Sequence, residues 1–255
     1  MADTFRLDGK VAVVIGGAGG IGEACARELG RHGAQVIVAS RNLDRLQEVA
    51  QKIQSEVGSE TVAFQVDVTD EQSVRRLAEQ VVERFGTVDI LVNAHGMNVK
   101  RPAVDFPVQD WDLLFDVNVK GVMLACRAFG KVMIENKRGK IINMSSVRGI
   151  RGTDGGNECY GATKGAVDMI TRMLAAEWAP YHINVNALGP SLVLTEMVKR
   201  AVKPERLQKF VESCPLKRLG TPEDVAAACV FLASAASDFI TGQILYIDGG
   251  LTAVG

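Results

Sequence analysis

Gly16-Gly17-Ala18-Gly19-Gly20-Ile21-Gly22 decides how this chain reads. It follows Val11-Ala12-Val13-Val14-Ile15, an apolar, β-branched run of the length of a buried strand. It precedes Glu23 to Leu29, which reads as a helix. Strand, glycine turn and helix is the setting in which such a motif indicates a phosphate site. Glycines let the backbone turn sharply and leave main-chain N–H groups open to a pyrophosphate. The helix behind them points the positive end of its dipole at that anion. A tight turn with no ligand is the plainer reading, and the motif alone does not separate the two.

Working outward, apolar runs at Gln35–Ser40, Thr61–Asp67, Asp89–Asn93, Lys140–Met144, Ile183–Leu188 and Gln243–Ile247 read as further strands. Between them lie helical patterns. Leu43 to Val57 carries Leu43, Leu46, Val49, Ala50 and Ile53 at helical spacing. Thr69 with Gln72 three residues on predicts a capping-box start for the next helix. One helical stretch runs from Trp111 through Asn118 to about Asn136, and a long helix from about Glu158 to Trp178. Thr221-Pro222-Glu223-Asp224 starts a last helix, with threonine at the N-cap and proline in the first turn. Strands alternating with helices predict an α/β fold: one Rossmann-type, doubly wound parallel sheet in three α/β/α layers, a single domain over 1–255. From Ser191 to Arg218 the alternation lapses into a polar, proline-containing stretch. It reads as short helices forming a small substrate-side lobe, or as a plain connection.

The 255 residues are 47% hydrophobic and 23% charged with a net charge of −1, ordinary values for a soluble globular protein. That balance predicts neither a nucleic-acid nor a membrane surface, and no apolar run approaches the ~20 residues of a membrane span. Met1 to Leu7 shows no signal-peptide pattern. Cys25, Cys126, Cys159, Cys214 and Cys229 are scattered without a C-x-x-C, which predicts free thiols, no metal site and a cytoplasmic location.

The end of the second strand normally reads the adenosine ribose, where a carboxylate accepts from the 2′-OH. Here Ser40 and Arg41 stand there. A hydroxyl and a guanidinium suit a 2′-phosphate, so NADP is the expected cofactor, with NAD still open. Arg41 could instead be a solvated charge at a helix start. Asp67 can accept from the adenine amino group, cap the turn before Thr69, or do both.

Tyr160 and Lys164 are one turn apart on the long helix and share a face. A phenol titrates near 10, and bringing it near ~7 takes ~4 kcal/mol. One ammonium at ~4 Å supplies about that much at an effective dielectric near 20. The tyrosine could then protonate a carbonyl oxygen or deprotonate an alcohol, with Ser146 hydrogen-bonding the same oxygen. A packed tyrosine and a surface lysine is the bland alternative.

The order of these motifs resembles the short-chain dehydrogenase/reductase family from about Leu7 to Gly250. The matches are Gly16, Gly20 and Gly22; Asp67; Asn93-Ala94-His95-Gly96; Asn118; Ser146; Tyr160 and Lys164; Pro190 and Thr195; and Asp248-Gly249-Gly250. The resemblance implies an oxidoreductase with Tyr160 as acid/base, Lys164 binding the nicotinamide ribose, Ser146 orienting the carbonyl and Asn118 holding a water. It places the cofactor along the glycine turn with Ile21, along Ser40, Arg41, Asp67 and Val68, along Asn93, Ala94 and Gly96, and against Pro190, Val193 and Thr195. It also implies a homotetramer packed through the long helix and the last helix and strand. Three departures stand out: Ile15 replaces a threonine, Ala94-His95 replaces Asn-Ala, and Ser191 replaces a glycine. The lost threonine and asparagine tie the first and fourth strands in the family, so a matched change in packing is expected. His95 is expected to be a structural turn residue.

Asn98–Pro102 and Asp105–Trp111 are similar to the bacterial gluconate 5-dehydrogenase group. This implies a small polyhydroxy keto acid as substrate. Its carboxylate needs a cation. Lys100, Arg101, Arg148 and Arg151 are the candidates. Reduction of a 3-oxoacyl carrier-protein thioester is the alternative activity, and a non-enzymatic NADP-binding sensor or scaffold the remote one.

Overall fold

Val11–Ile15 (β1) is buried along its whole length. A continuous β-branched run meets no water only inside a parallel sheet covered on both faces. The computed structural model describes residues 4–254, so the reading of the N-terminus as leaderless rests partly on residues outside the described ones. In chain order the elements are β1, α1 Gly20–Arg31, β2 Gln35–Ser40, α2 Leu43–Val57, β3 Thr61–Gln65, α3 Glu71–Phe85 and β4 Ile90–Asn93. Then come α4 Val108–Phe115, α5 Gly121–Asn136, β5 Gly139–Met144, α6 Glu158–Trp178 and β6 Ile183–Pro190. The chain continues with α7 Glu196–Ala201, α8 Pro204–Ser213, α9 Pro222–Ala233 and β7 Ile244–Ile247.

The seven strands form one parallel sheet in the order β3-β2-β1-β4-β5-β6-β7. In register, Val13 lies between Ile37 and Leu91, and Val14 between Val38 and Val92. The first trio packs towards α3, α5 and α6, the second towards α1, α2 and α9, so the sheet separates two cores. Strand order reverses between β1 and β4, and a crevice opens there at the strands' C-terminal ends.

Local chemistry explains where the elements begin. Asn42 caps α2 by accepting from the Arg45 N–H at 3.0 Å. Thr221 and Asp224 cap α9 reciprocally. The expected Thr69 cap is not used. Asp70 caps α3 instead, accepting from the Gln72 N–H at 2.9 Å, while the Thr69 hydroxyl donates to Asp67 at 2.8 Å. The carboxylate of Asp67 out-competes the helix for that hydroxyl. The helical stretch from 111 to 136 is also not uniform. A five-residue π-helical turn, Asp116–Lys120, separates α4 from α5. All five cysteines are free and buried. No helix among the described residues is long and apolar enough to cross a membrane, and no cluster there could hold a metal ion.

Candidate active site

The glycine turn needs glycine for reasons of space. Gly16 has φ +89°, and a Cβ there would stand 2.6 Å from the His95 nitrogen. A Cβ on Gly22 would stand 2.2 Å from the Gly16 carbonyl oxygen. Helix α1 therefore starts hard against the turn, and no side chain caps its first N–H groups. These donors face a cavity of about 540 Å³ lined by Gly16, Gly20, Ile21, Gly22, Ser40, Arg41, Asp67, Val68, Ala94, Gly96 and Thr195. Uncapped donors at a helix start, in a cradle that a Cβ would close, fit a pyrophosphate. Arg41 is exposed at the cavity's edge. Hydrogen bonds from Thr69 hold the Asp67 carboxylate below its usual range. Thr195 caps α7 and leans over the turn, its Cγ2 lying 3.3 Å from where a Gly20 Cβ would be.

A second cavity of about 400 Å³ shares Ile21, Ala94, His95, Gly96 and Thr195 with the first, which makes one crevice. It is lined by Ser146, Tyr160, Lys164, Pro190 and Val193, and by Lys100 and Arg148. Ser146, after β5, donates to the Pro190 carbonyl at 3.4 Å and accepts from the Arg148 N–H at 3.2 Å. The Lys164 ammonium is 5.6 Å from the centre of the Tyr160 ring, and the side chain is only 3% exposed. Burial lowers the lysine to about 8, opposed by Asp168. Burial raises the Tyr160 phenol, against the Ser146 hydrogen bond and the Arg148 charge. The expected depression of the phenol by Lys164 is absent in this arrangement. The ammonium donates to the Met144 carbonyl at 2.7 Å, and desolvation dominates at the phenol.

Some residues singled out from sequence lie outside the crevice wall. Asn93 is fully buried and donates to Asn143 at 2.9 Å, which in turn donates to Thr171 at 3.0 Å. This polar ladder ties β4 and β5 to α6. Asn118 is fully buried in the π turn. It accepts from the Met97 N–H at 2.8 Å, and donates to the Met97 carbonyl at 2.9 Å and to Thr163 at 3.1 Å. Arg101 is exposed, and its backbone N–H donates to the Gly156 carbonyl at 3.3 Å, away from the crevice wall. Arg151 is tied to the Leu251 carbonyl. One cation that sequence reading missed does line the crevice: Arg206 on α8.

The Ile15 departure is absorbed by the backbone, since the Ala94 N–H donates to the Ile15 carbonyl at 2.8 Å. The His95 ring lies against Gly121, its Nε2 at 3.1 Å from where a Gly121 Cβ would stand. Both ring nitrogens are sealed from solvent and lack a hydrogen-bond partner. Burial, then the Lys164 charge, lowers the imidazole from 6.5 to about 3. Between those values the unfolded chain holds the extra proton, so stability is full above pH 6.5 and drains as pH falls towards 3. In urea melts from pH 6 to 4, His95→Gln is expected to flatten the fall in stability, by up to ~1.4 kcal/mol per pH unit. Parallel slopes for the two proteins would contradict this.

The chain is similar to known proteins over nearly its whole length. Residues 16–252 match a family model described as enoyl-(acyl carrier protein) reductase. The chain is 38% identical over 248 residues to an NAD-dependent glycerol dehydrogenase of Listeria innocua, covering 97% of this chain and 96% of the relative. It is 36% identical over 252 residues to the 5-keto-D-gluconate 5-reductase of Escherichia coli K12, covering 98% of each. A gluconate 5-dehydrogenase of Burkholderia cenocepacia, solved with NADP and tartrate, superposes with a TM-score of 0.94 at 36% identity over 99% of both chains. Full-length relatives above 30% identity, one of them superposing over 99% of both chains, make the chain a member of the short-chain dehydrogenase/reductases, enzymes acting on alcohols and ketones.

Proposed function

We propose that this enzyme uses NADP to interconvert a secondary alcohol and a ketone on a small polyhydroxy keto acid such as gluconate/5-ketogluconate. One observation carries the reading: Ser146 and Tyr160 line the same cavity as Lys100 and Arg148. A reacting carbonyl and a carboxylate on one short molecule need such a pairing. The nicotinamide, when bound, supplies or accepts the hydride. Tyr160 gives its phenolic proton to the substrate oxygen in reduction and takes it back in oxidation. Ser146 hydrogen-bonds that oxygen. Lys164 and Thr195 hold the nicotinamide end, with the backbone from Pro190 to Val193, and Asn118 fixes the loop at Met97 beside them. The 191–218 segment is the substrate-side lobe. The E. coli and Burkholderia relatives support the substrate class. The test is NADPH oxidation against 5-ketogluconate, neutral ketones of similar size and a 3-oxoacyl thioester. Turnover of the thioester alone would select the carrier-protein alternative, which a 37%-identical relative of Thermotoga maritima, a 3-oxoacyl-(acyl-carrier-protein) reductase, supports.

Arg41 supports NADP over NAD because no carboxylate ends β2. A charge-assisted bond to a 2′-phosphate is worth ~1.5–3 kcal/mol. Arg41→Asp is therefore expected to lower kcat/KM for NADPH by roughly 10–100-fold and to raise it for NADH, read in parallel assays. A variant that keeps its preference would place the selectivity elsewhere.

A homotetramer and a cytoplasmic location belong to the same proposal. Met169 and Met173 on α6 and Leu245 on β7 are exposed apolar side chains, and the free thiols suit a reducing compartment. Light scattering at a mass other than four chains would overturn the tetramer.

A further inference from the structure

Lys100, Arg148 and Arg206 come from three separate segments: the loop after β4, the turn after β5, and α8. All three line the cavity that holds Ser146 and Tyr160. The Arg206 guanidinium reaches the loop opposite, 3.9 Å from where a Gly155 Cβ would stand. Lys100 is held below the ordinary lysine range by burial and then by the charges of Arg206 and Arg148. The Arg148 guanidinium is already steered by the carbonyls of Arg151 and Gly152, at 3.4 and 3.1 Å. Asp154 is the carboxylate whose charge reaches it.

Such a cluster is out of proportion to the rest of the chain, which balances 29 basic against 30 acidic residues. Arg148 is half-buried, with Lys100 and Arg206 exposed at the cavity's rim, and like charges gathered there repel one another until an anion sits among them. The one carboxylate charge at Arg148, that of Asp154, is opposed by the charge of Arg151, so the three cationic heads leave an excess of at least two positive charges. A single carboxylate on the substrate neutralises at most half of that excess. Arg206 also sits on a helix that has no fully buried residue of its own. Its position is therefore set weakly by packing, and an anion in the cavity would draw α8 inwards.

We infer that this cavity takes a substrate carrying two negative charges, in a phosphate ester or in a second carboxylate, and that Arg206 is the specificity residue that reads the second charge. The inference rests on the reductase reading for which atom reacts, not for which anion binds.

The test is a ladder of six-carbon polyols differing in charge: sorbitol, D-gluconate, D-glucarate and sorbitol 6-phosphate. Each is titrated calorimetrically into NADPH-loaded protein, in which alcohols are not oxidised. At least one dianion is expected to bind ~10-fold or more tightly than gluconate, the value of one further charge-assisted contact. Arg206→Gln is expected to erase that advantage and leave gluconate and NADPH binding in place. Tight glucarate identifies the second charge as a second carboxylate's, tight sorbitol 6-phosphate as a phosphate ester's. Gluconate equal to both dianions, no binding of any polyol, or an Arg206→Gln variant that weakens all four alike would overturn the inference. Because this readout is binding, it stands apart from the turnover assays. Loss of NADPH oxidation on every ketone with the charge ladder intact would sink the reductase reading alone.

Discussion

Tyr160→Phe is expected to lower kcat for NADPH-linked ketone reduction by ~10²–10⁴-fold while NADPH affinity stays as it was. The substitution removes one oxygen from a half-buried ring and leaves the ring's packing unchanged. NADPH binding is followed by fluorescence and turnover by absorbance, so the two losses separate. The direction of the pH dependence follows from burial. Desolvation keeps the phenol protonated through neutral pH, which is the form that reduction consumes. Reduction is therefore expected to hold its rate from pH 6 to 8. Oxidation needs the phenolate, and its rate is expected to climb with pH over the same range. A phenylalanine variant that retains full turnover would remove Tyr160 from the chemistry and restore the non-enzymatic reading.

Gly22→Ala is expected to damage both fold and cofactor binding. The added methyl meets the Gly16 carbonyl oxygen at 2.2 Å, the Gly16 carbonyl carbon at 2.8 Å and the Gly17 Cα at 3.3 Å, all of them backbone. Backbone cannot swing aside as a side chain can, so α1 must move away from the turn. Overpacking of this kind costs ~1–3 kcal/mol, and a domain of this size loses roughly 2–4 °C in Tm per kcal/mol. NADPH affinity is expected to fall with it, since the same shift withdraws the donors of α1. Gly19→Ala is the control. A Cβ there meets nothing within 4 Å, so thermal stability should hold while NADPH binding weakens as the methyl enters the cradle. A Gly22→Ala protein as stable as its parent, or a Gly19→Ala protein with parental NADPH affinity, would contradict this account of the turn.

The strands were legible because their signal is local. Val11–Ile15 and Ile90–Asn93 are apolar at every or nearly every position, and only a central parallel strand buries such a run. The Tyr160–Lys164 pair was legible because four residues of helix bring two side chains to one face. The protonation of that pair was not, because it depends on desolvation, which sequence spacing does not carry. Thr69 was mistaken for a cap because Asp67, two residues earlier, competes for its hydroxyl. Arg206 carries no motif. It lies in a polar amphipathic helix, and only the three-dimensional path of α8 brings it opposite Gly155. Lys100 lines the cavity and Arg101, the next residue, does not, a difference that sequence spacing does not carry.

The π turn at Asp116–Lys120 sets the angular phase between two helices that serve different neighbours. On one side, α4 stacks Trp111 on Phe115 at 5.2 Å between ring centres. On the other, α5 drives Phe129 and Met133 into the core. Each residue of α-helix turns the chain by ~100°, so deleting one residue between them would straighten the helix and rotate one end against the other. Either the aromatic stack or the core anchors would then face the wrong way. Asn118 is thus held inward by a surplus residue that neither helix can release.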